Sequence, residues 1–135
     1  MMRQAAARKD DRIVGNDIHL VLEQVGNLVT QKQLSLEFNG IIDGGVSSSV
    51  RVNGKPAAMV KSTATNTPAH ETQLAPNQSF PAPPSNSGKI TNGSQTVRIN
   101  GQPAARAGDP AETCHEFAGP APTVVVGGLP SVFIG

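Results

Sequence analysis

One phrase occurs twice in this chain and limits the folds open to it. The first copy, Val50–Ala58, reads VRVNGKPAA, and the second, Val97–Ala105, reads VRINGQPAA. In both copies branched residues alternate before an Asn-Gly pair, which is the pattern of a β-strand that enters a type I′ hairpin turn. The proline beyond the turn lacks a backbone donor, so the return strand is expected to begin late or to lie at an edge.

The end of the chain carries a third, partial copy of this pattern. Residues 127–135, reading GGLPSVFIG, parallel residues 92–100, reading NGSQTVRIN, and a similar Gly-Gly lead-in stands at residues 44–49. A hairpin of this size cannot bury its own apolar face, so three of them are expected to stack or close around an axis. The sequence therefore predicts an all-β fold of short strands and hairpins with pseudo-threefold symmetry.

Composition limits both the core and the partners. The 135 residues are 37% hydrophobic and include neither Trp nor Tyr, which predicts one compact domain with a thin core of Val, Ile, Leu and Ala. The 14 glycines and 11 prolines stand mainly at turn positions, as in a fold of many short strands. The formal net charge is +1, so electrostatic capture of nucleic acid or of an anionic membrane is not expected.

Four further segments can be assigned from pattern. Residues 1–12 are polar and are predicted to be a flexible segment ahead of a single domain at residues 13–135. The apolar residues of Ile13–Val29 fit either an alternating strand or a helical face. Residues 31–40 are predicted to be a connection that ends in an Asn-Gly turn. Leu74–Gly88 holds four prolines and is interpreted as an ordered surface loop, with a flexible linker as the alternative.

The chain contains three histidines and one cysteine: His19, His70, His115 and Cys114. Structural Zn²⁺ sites take four nitrogen or sulfur ligands in a tetrahedron, and mixed Cys and His sets are common. A single cysteine excludes an intrachain disulfide. Cys114 is then a small buried hydrophobe, a reactive thiol or a metal ligand.

The second copy continues into a longer series of spaced motifs. Residues 103–106 read PAAR, residues 108–110 read GDP, Thr113-Cys114 follows, and residues 132–135 read VFIG. From about residue 14 to residue 135 the chain resembles the PAAR-repeat proteins, the cone-shaped tips that cap trimeric spikes in contractile injection machines. The first copy departs from the family phrase, because Met59 stands where the arginine is expected. The resemblance implies a small conical fold and favours a strand for residues 13–29.

The resemblance also implies a structural zinc near the vertex of the cone, held in this family by three histidines and one cysteine. The positions of Cys114, His70 and His19 fit the family pattern. A further family histidine aligns with Leu36, where this sequence departs from the pattern. His115 is the predicted replacement, with Glu116 or water as alternatives, although adjacent residues of an extended strand point to opposite faces.

The implied function is that of a non-enzymatic tip. One chain would cap one trimeric β-helical spike without forming a homo-oligomer, would sharpen it for piercing, and would contact the target envelope transiently. Assembly is expected in a bacterial cytoplasm without a signal peptide, and use at the distal end of a phage tail, a type VI secretion system or an extracellular particle. The alternatives are a zinc-dependent hydrolase, since a glutamate follows both His70 and His115, or an adaptor that recruits effector cargo.

Overall fold

The computed structural model describes residues 3–128 and 130–135 and is all-β apart from one 3₁₀ turn at His70–Gln73, which confirms the predicted fold class. The strands are β1 Gln4–Ala5, β2 Arg12–Val25, β3 Leu28–Gly44, β4 Arg51–Val52, β5 Lys55–Pro56, β6 Thr63–Asn66, β7 Gln78–Ser79, β8 Ser87–Ile90, β9 Arg98–Ile99, β10 Gln102–Pro103, β11 Ala111–Glu112, β12 Thr123–Val125 and β13 Phe133–Ile134. Among these residues no helix is long and apolar enough to cross a bilayer.

The two longest strands form one hairpin that organises the main sheet. β2 pairs with β3 from Arg12 opposite Ile41 to Val25 opposite Leu28, and Gly26 turns the chain with a φ of +60°. The seven-stranded sheet runs β11-β8-β6-β3-β2-β12, with β7 also paired to β2. The strand interpretation of residues 13–29 is therefore confirmed up to the turn.

Residues 31–40 were expected to be a connection, and that expectation is wrong, because they lie inside β3. The Asn39-Gly40 pair makes no turn there. A Cβ atom on Gly40 would lie 2.6 Å from the ring of Phe38, so the glycine makes room for an aromatic side chain that is 0% exposed. An Asn-Gly pair predicts a turn because glycine tolerates a positive φ, but glycine is equally required where another side chain packs closely against the backbone. Gly40 is of the second kind.

Two of the repeats form the predicted hairpins. β4 pairs with β5 and β9 with β10, around turns at Asn53-Gly54 and Asn100-Gly101. All four turn residues have positive φ, between +50° and +82°, as a type I′ turn requires. The prolines at positions 56 and 103 stand in the short return strands.

The third hairpin takes its return strand from the N-terminal segment. β13 pairs with β1, with Ile134 opposite Gln4, as Val52 lies opposite Lys55 and Ile99 opposite Gln102. Residues 5–7 are buried alanines. Residues 1–12 were expected to be a flexible segment, and the pairing of residues 4 and 5 with β13 differs from that expectation. The sequence shows no sign of this pairing, because three consecutive alanines produce no periodic hydrophobic pattern. Their small side chains nevertheless fit a closely packed ring.

A closed ring of backbone hydrogen bonds joins the three repeats. The amide of Ala7 donates to the carbonyl of Ala105 (2.9 Å), Ala105 donates to Ala58 (3.1 Å), and Ala58 donates to Ala7 (2.9 Å). The predicted pseudo-threefold symmetry is thus present in the backbone. We call the three segments at residues 4–11, 47–62 and 94–109, with residues 130–135, the repeat ring.

Small residues allow this close approach, and the core is correspondingly rich in alanine. One buried cluster lies within the repeat ring: Ala6, Val52, Ala57, Met59, Ile99, Ala104 and Ile134. The other joins the ring to the main sheet: Ala7, Ile13, Phe38, Ile42, Ala58, Ala64, Ile90, Ala105, Ala111 and Val124.

The proline-rich segment runs against the long hairpin. Within it, β7 pairs with residues 22 and 23 of β2, and the side chain of Asn77 donates to the carbonyl of Gln24 (3.0 Å). The interpretation as an ordered surface loop agrees with these contacts. The loop also makes one short ladder despite its prolines, because Gln78 and Ser79 both retain backbone donors.

Candidate metal centre

Strand β2 supplies two side chains of the centre. Asp17 and His19 are two residues apart, so both project from the same face of the strand, and they are 0% and 1% exposed. The Nδ1 atom of His19 lies 3.1 Å from a carboxylate oxygen of Glu116. This contact turns the other ring nitrogen, Nε2, toward the interior.

The 3₁₀ turn after β6 supplies His70, which is 0% exposed. Its backbone amide donates to the side chain of Asn86 (2.8 Å), and the side-chain amides of Asn66 and Gln73 lie 3.3 and 3.4 Å from its Nδ1. These contacts fix the ring with Nε2 directed at Asp17. The distance from Nε2 to the Oδ2 atom of Asp17 is 2.8 Å.

The segment after β11 supplies Cys114, which is half-buried. Its sulfur lies 3.4 Å from Oδ2 of Asp17 and 3.7 Å from Nε2 of His19. The chain bends at Cys114 before residue 117 bridges to Ile18 of β2. Four side chains thus converge, with one ligand atom from each lying within 4.8 Å of all the others: Asp17, His19, His70 and Cys114. We call them the polar cluster.

Three of the four sequence-predicted ligands meet in this cluster, and His115 does not belong to it. His115 is exposed and lines an open cleft of about 230 Å³ that also reaches His19 and Cys114. The chain bends next to it, yet its side chain stays on the solvent side. Its role as a ligand stays a prediction.

Asp17 is the member that sequence reasoning missed. It stands two residues before His19, and this spacing on a strand was the available signal. Leu36, where the family pattern has a further histidine, is the residue directly opposite Asp17 in the β2–β3 pairing. Directly opposite side chains of an antiparallel pair lie on the same face of the sheet, so a side chain at either position can reach the same part of the centre.

The electrostatics of the cluster keep the sulfur protonated while no cation is bound. Burial, followed by the negative charge of Asp17, raises the pKa of Cys114 to about 11. Burial would also raise the pKa of Asp17, but hydrogen bonds from His70, Thr113 and Cys114 outweigh it and lower that pKa. The cluster therefore holds a buried carboxylate beside a thiol, and a divalent cation would displace the thiol proton.

The ligand types and spacings fit zinc. With bonds of about 2.0–2.3 Å, neighbouring ligands of tetrahedral Zn²⁺ lie about 3.3–3.8 Å apart. The two distances from sulfur fall within that range, whereas the His70–Asp17 contact is a hydrogen bond that would lengthen by about half an ångström on binding. The second contact of His19, to Glu116, is of the kind that orients metal-bound histidines.

The chain thus combines an all-β ring of three short repeats with one centre of Asp, His and Cys side chains. The family model described as the PAAR motif matches residues 82–135. This part of the chain carries a PAAR motif, and the prediction of a PAAR-repeat protein is confirmed. The motif indicates a spike-tip protein of a contractile injection system. No curated protein matches the chain.

Proposed function

We propose that one copy of this protein caps a trimeric β-helical spike through the repeat ring. The observation that supports this most is a set of three equivalent valines. Val50, Val97 and Val132 are 38%, 37% and 39% exposed, and their carbonyls accept equivalent hydrogen bonds from Ala57, Ala104 and Ala6. A single chain thus presents the same apolar contact three times around one axis, as a threefold partner requires.

The strand edges of the ring support the same proposal. Within residues 3–128 and 130–135, β4, β9 and β13 each belong to a sheet of only two strands. An open strand edge pairs readily with another chain, and a trimeric β-helix ends in three such edges. One tip chain per spike trimer follows from this match, and no homo-oligomer is needed.

Co-purification with the C-terminal β-helix of a candidate trimeric spike tests the capping. We expect one tip chain per trimer, and we expect Val50→Glu, Val97→Glu and Val132→Glu each to weaken binding by similar factors. Val29→Glu is the matched control, since Val29 is 61% exposed at the end of the long hairpin, outside the ring. A different stoichiometry, or equal loss of binding in the control, would overturn the proposal.

We further propose that His19, His70 and Cys114 hold a structural Zn²⁺ that stabilises the region beyond the ring. Coordination of structural zinc is worth on the order of 10 kcal/mol, which would strengthen a segment with little apolar area. The ion would link three parts of the chain, namely β2, the 3₁₀ turn and the segment after β11. Bound zinc per chain, measured by elemental analysis after purification without added metal, tests this.

The hydrolase alternative requires a different metal environment. Catalytic zinc keeps one position open for water and substrate, whereas here the buried carboxylate of Asp17 lies beside the three proposed ligands and can fill that position. We infer a structural role with no catalysis. Detectable hydrolysis of peptidoglycan or nucleotides that requires the zinc would favour the alternative.

A further inference from the structure

The three proposed zinc ligands leave one coordination position, and the side chain that faces it is Asp17. This carboxylate is 0% exposed, and its Oδ2 atom lies 2.8 Å from Nε2 of His70 and 3.4 Å from the sulfur of Cys114. His115, by contrast, is exposed on the outer side of the cleft. Burial and distance therefore favour Asp17 as the inner ligand.

The carboxylate is also oriented for coordination through one oxygen. The hydroxyl of Thr113 donates to Oδ1 of Asp17, so this oxygen is occupied. The other oxygen, Oδ2, faces both His70 and Cys114. Because Thr113 directly precedes Cys114, the same short segment positions the sulfur and the carboxylate.

Charge balance leads to the same ligand. No lysine or arginine of the described residues forms an ion pair with Asp17; its partner is His70. A buried carboxylate without a lasting countercharge is costly. A divalent cation bound by the Asp17 carboxylate and the Cys114 thiolate gives a neutral buried centre, with two neutral histidines completing the set.

The cleft provides a way to this centre from outside. Of the cluster, His19 and Cys114 line it, whereas Asp17 and His70 lie behind them. His115 and Glu116 line the same cleft as His19 and Cys114. An incoming ion thus meets the exposed imidazole of His115 before it reaches the buried ligands.

We propose that Asp17 is the fourth ligand of the centre, giving a set of one Asp, two His and one Cys, and that His115 binds the ion only during uptake. This inference rests on the proposed structural zinc site. Asp17 is then expected to determine the affinity for Zn²⁺, and His115 the rate at which Zn²⁺ enters the centre.

Zn²⁺ competition with a chelator, together with uptake kinetics, tests the assignment on the whole chain. Loss of a residue that only hydrogen-bonds to a metal ligand weakens metal affinity by about 10–100-fold. Asp17→Asn removes a ligand itself, so it is expected to weaken Zn²⁺ binding by at least about 100-fold. Asp43→Asn is the matched control, since Asp43 is exposed on the neighbouring strand β3 and is expected to leave affinity unchanged. His115→Ala is expected to keep zinc content and affinity and to slow uptake several-fold.

A second variant separates ligation from folding. Asp17→Cys offers a different ligand at the same position, so it is expected to restore tight binding and to raise the intensity of the thiolate-to-cobalt charge-transfer absorption of the Co²⁺ form about twofold. A purely structural Asp17 would give no such rescue. Unchanged affinity in Asp17→Asn, or lost zinc in His115→Ala, would overturn the ligand assignment, and unchanged uptake in His115→Ala would overturn the uptake role. Absence of zinc binding by the unaltered protein would instead remove the zinc site itself.

Discussion

The repeat ring and the polar cluster are held together in opposite ways. In the ring, the same backbone hydrogen bonds occur in all three repeats, and buried alanines occupy equivalent positions in each of them. In the cluster, one aspartate, two histidines and one cysteine come from three separate parts of the chain, and the repeats do not duplicate them. The ring is therefore specified by repetition of backbone geometry, and the cluster by individual side chains.

Because the ring depends on backbone geometry, the three repeats can differ in side chains at equivalent positions. In two repeats an aspartate accepts a hydrogen bond from the backbone amide three residues before it. Asp11 accepts from the amide of Arg8, and Asp109 accepts from the amide of Arg106. In the remaining repeat Ser62 bonds the amide of Met59 at 3.0 Å. The geometry survives the change from an Arg and Asp pair to Met and Ser because the backbone contact is kept.

The largest effect is expected in the cluster. Cys114→Ser removes the only thiolate, so bound zinc and thermal stability are expected to fall together, by several kcal/mol in the free energy of unfolding. Thermal denaturation alongside elemental analysis measures both. After removal of metal by a chelator, the variant and the unaltered protein are expected to melt at similar temperatures. Full zinc content in the variant would remove Cys114 from the site.

A smaller effect is expected where the ring is most crowded. Ala105 is 0% exposed and takes part in the ring of hydrogen bonds, so Ala105→Leu is expected to cost about 1–3 kcal/mol through overpacking. Denaturant titration measures the cost. Ala82→Leu makes the same change at an exposed loop position and is expected to be neutral. Equal stability of the two variants would mean that the ring is not closely packed.

The hairpin turns are expected to be less sensitive. Gly101 has a φ of +82°, so Gly101→Ala is expected to cost about 1 kcal/mol in backbone strain, and Gly54→Ala, at +79°, the same amount. Gly119→Ala is the control, because its new Cβ would meet Ile18 at an ordinary 3.6 Å. Clearly different costs at Gly54 and Gly101, measured by thermal unfolding, would contradict the equivalence of the repeats.

The smallest effect is expected from moving the chain ends. Gly135 and Arg3 occupy the places that Asn53 and Gly54 fill in the first repeat, since Ile134 pairs with Gln4 as Val52 pairs with Lys55. A circular permutant that joins Gly135 to Arg3 and opens between Asn53 and Gly54 is expected to fold with a melting temperature within a few degrees. Failure to fold, seen by circular dichroism, would show that the third turn is not equivalent to the first.

The repeated hairpins could be predicted from the sequence more completely than the features that occur only once. The doubled Asn-Gly phrase correctly predicted two hairpins and the threefold arrangement. The third return strand was missed, although Ala6-Ala7-Arg8 and Asp11 repeat the spacing of Ala104-Ala105-Arg106 and Asp109. That copy lies at the other end of the chain from its partner strand, where a search for consecutive repeats does not look.

The cluster shows the second limit. His19, His70 and Cys114 could be selected because these residue types are rare in the chain, whereas Asp17 is one of several acidic residues. Its burial results from the pairing of β2 with β3 and from the return of residues 113–117 beside β2. Such contacts between distant segments cannot be read from local spacing.

The pairing of β1 with β13 also sets the order in which the molecule can form. Residues 4 and 5 must wait for residues 133 and 134, so a growing chain on the ribosome cannot close the ring until nearly all of these 135 residues have been made. Contacts this distant in sequence slow folding, because loop-closure entropy is lost before the contacts form. Until then, the alanines at residues 5–7 and the edges of the strands they would join stay exposed to other chains. Rapid completion of synthesis would shorten that period.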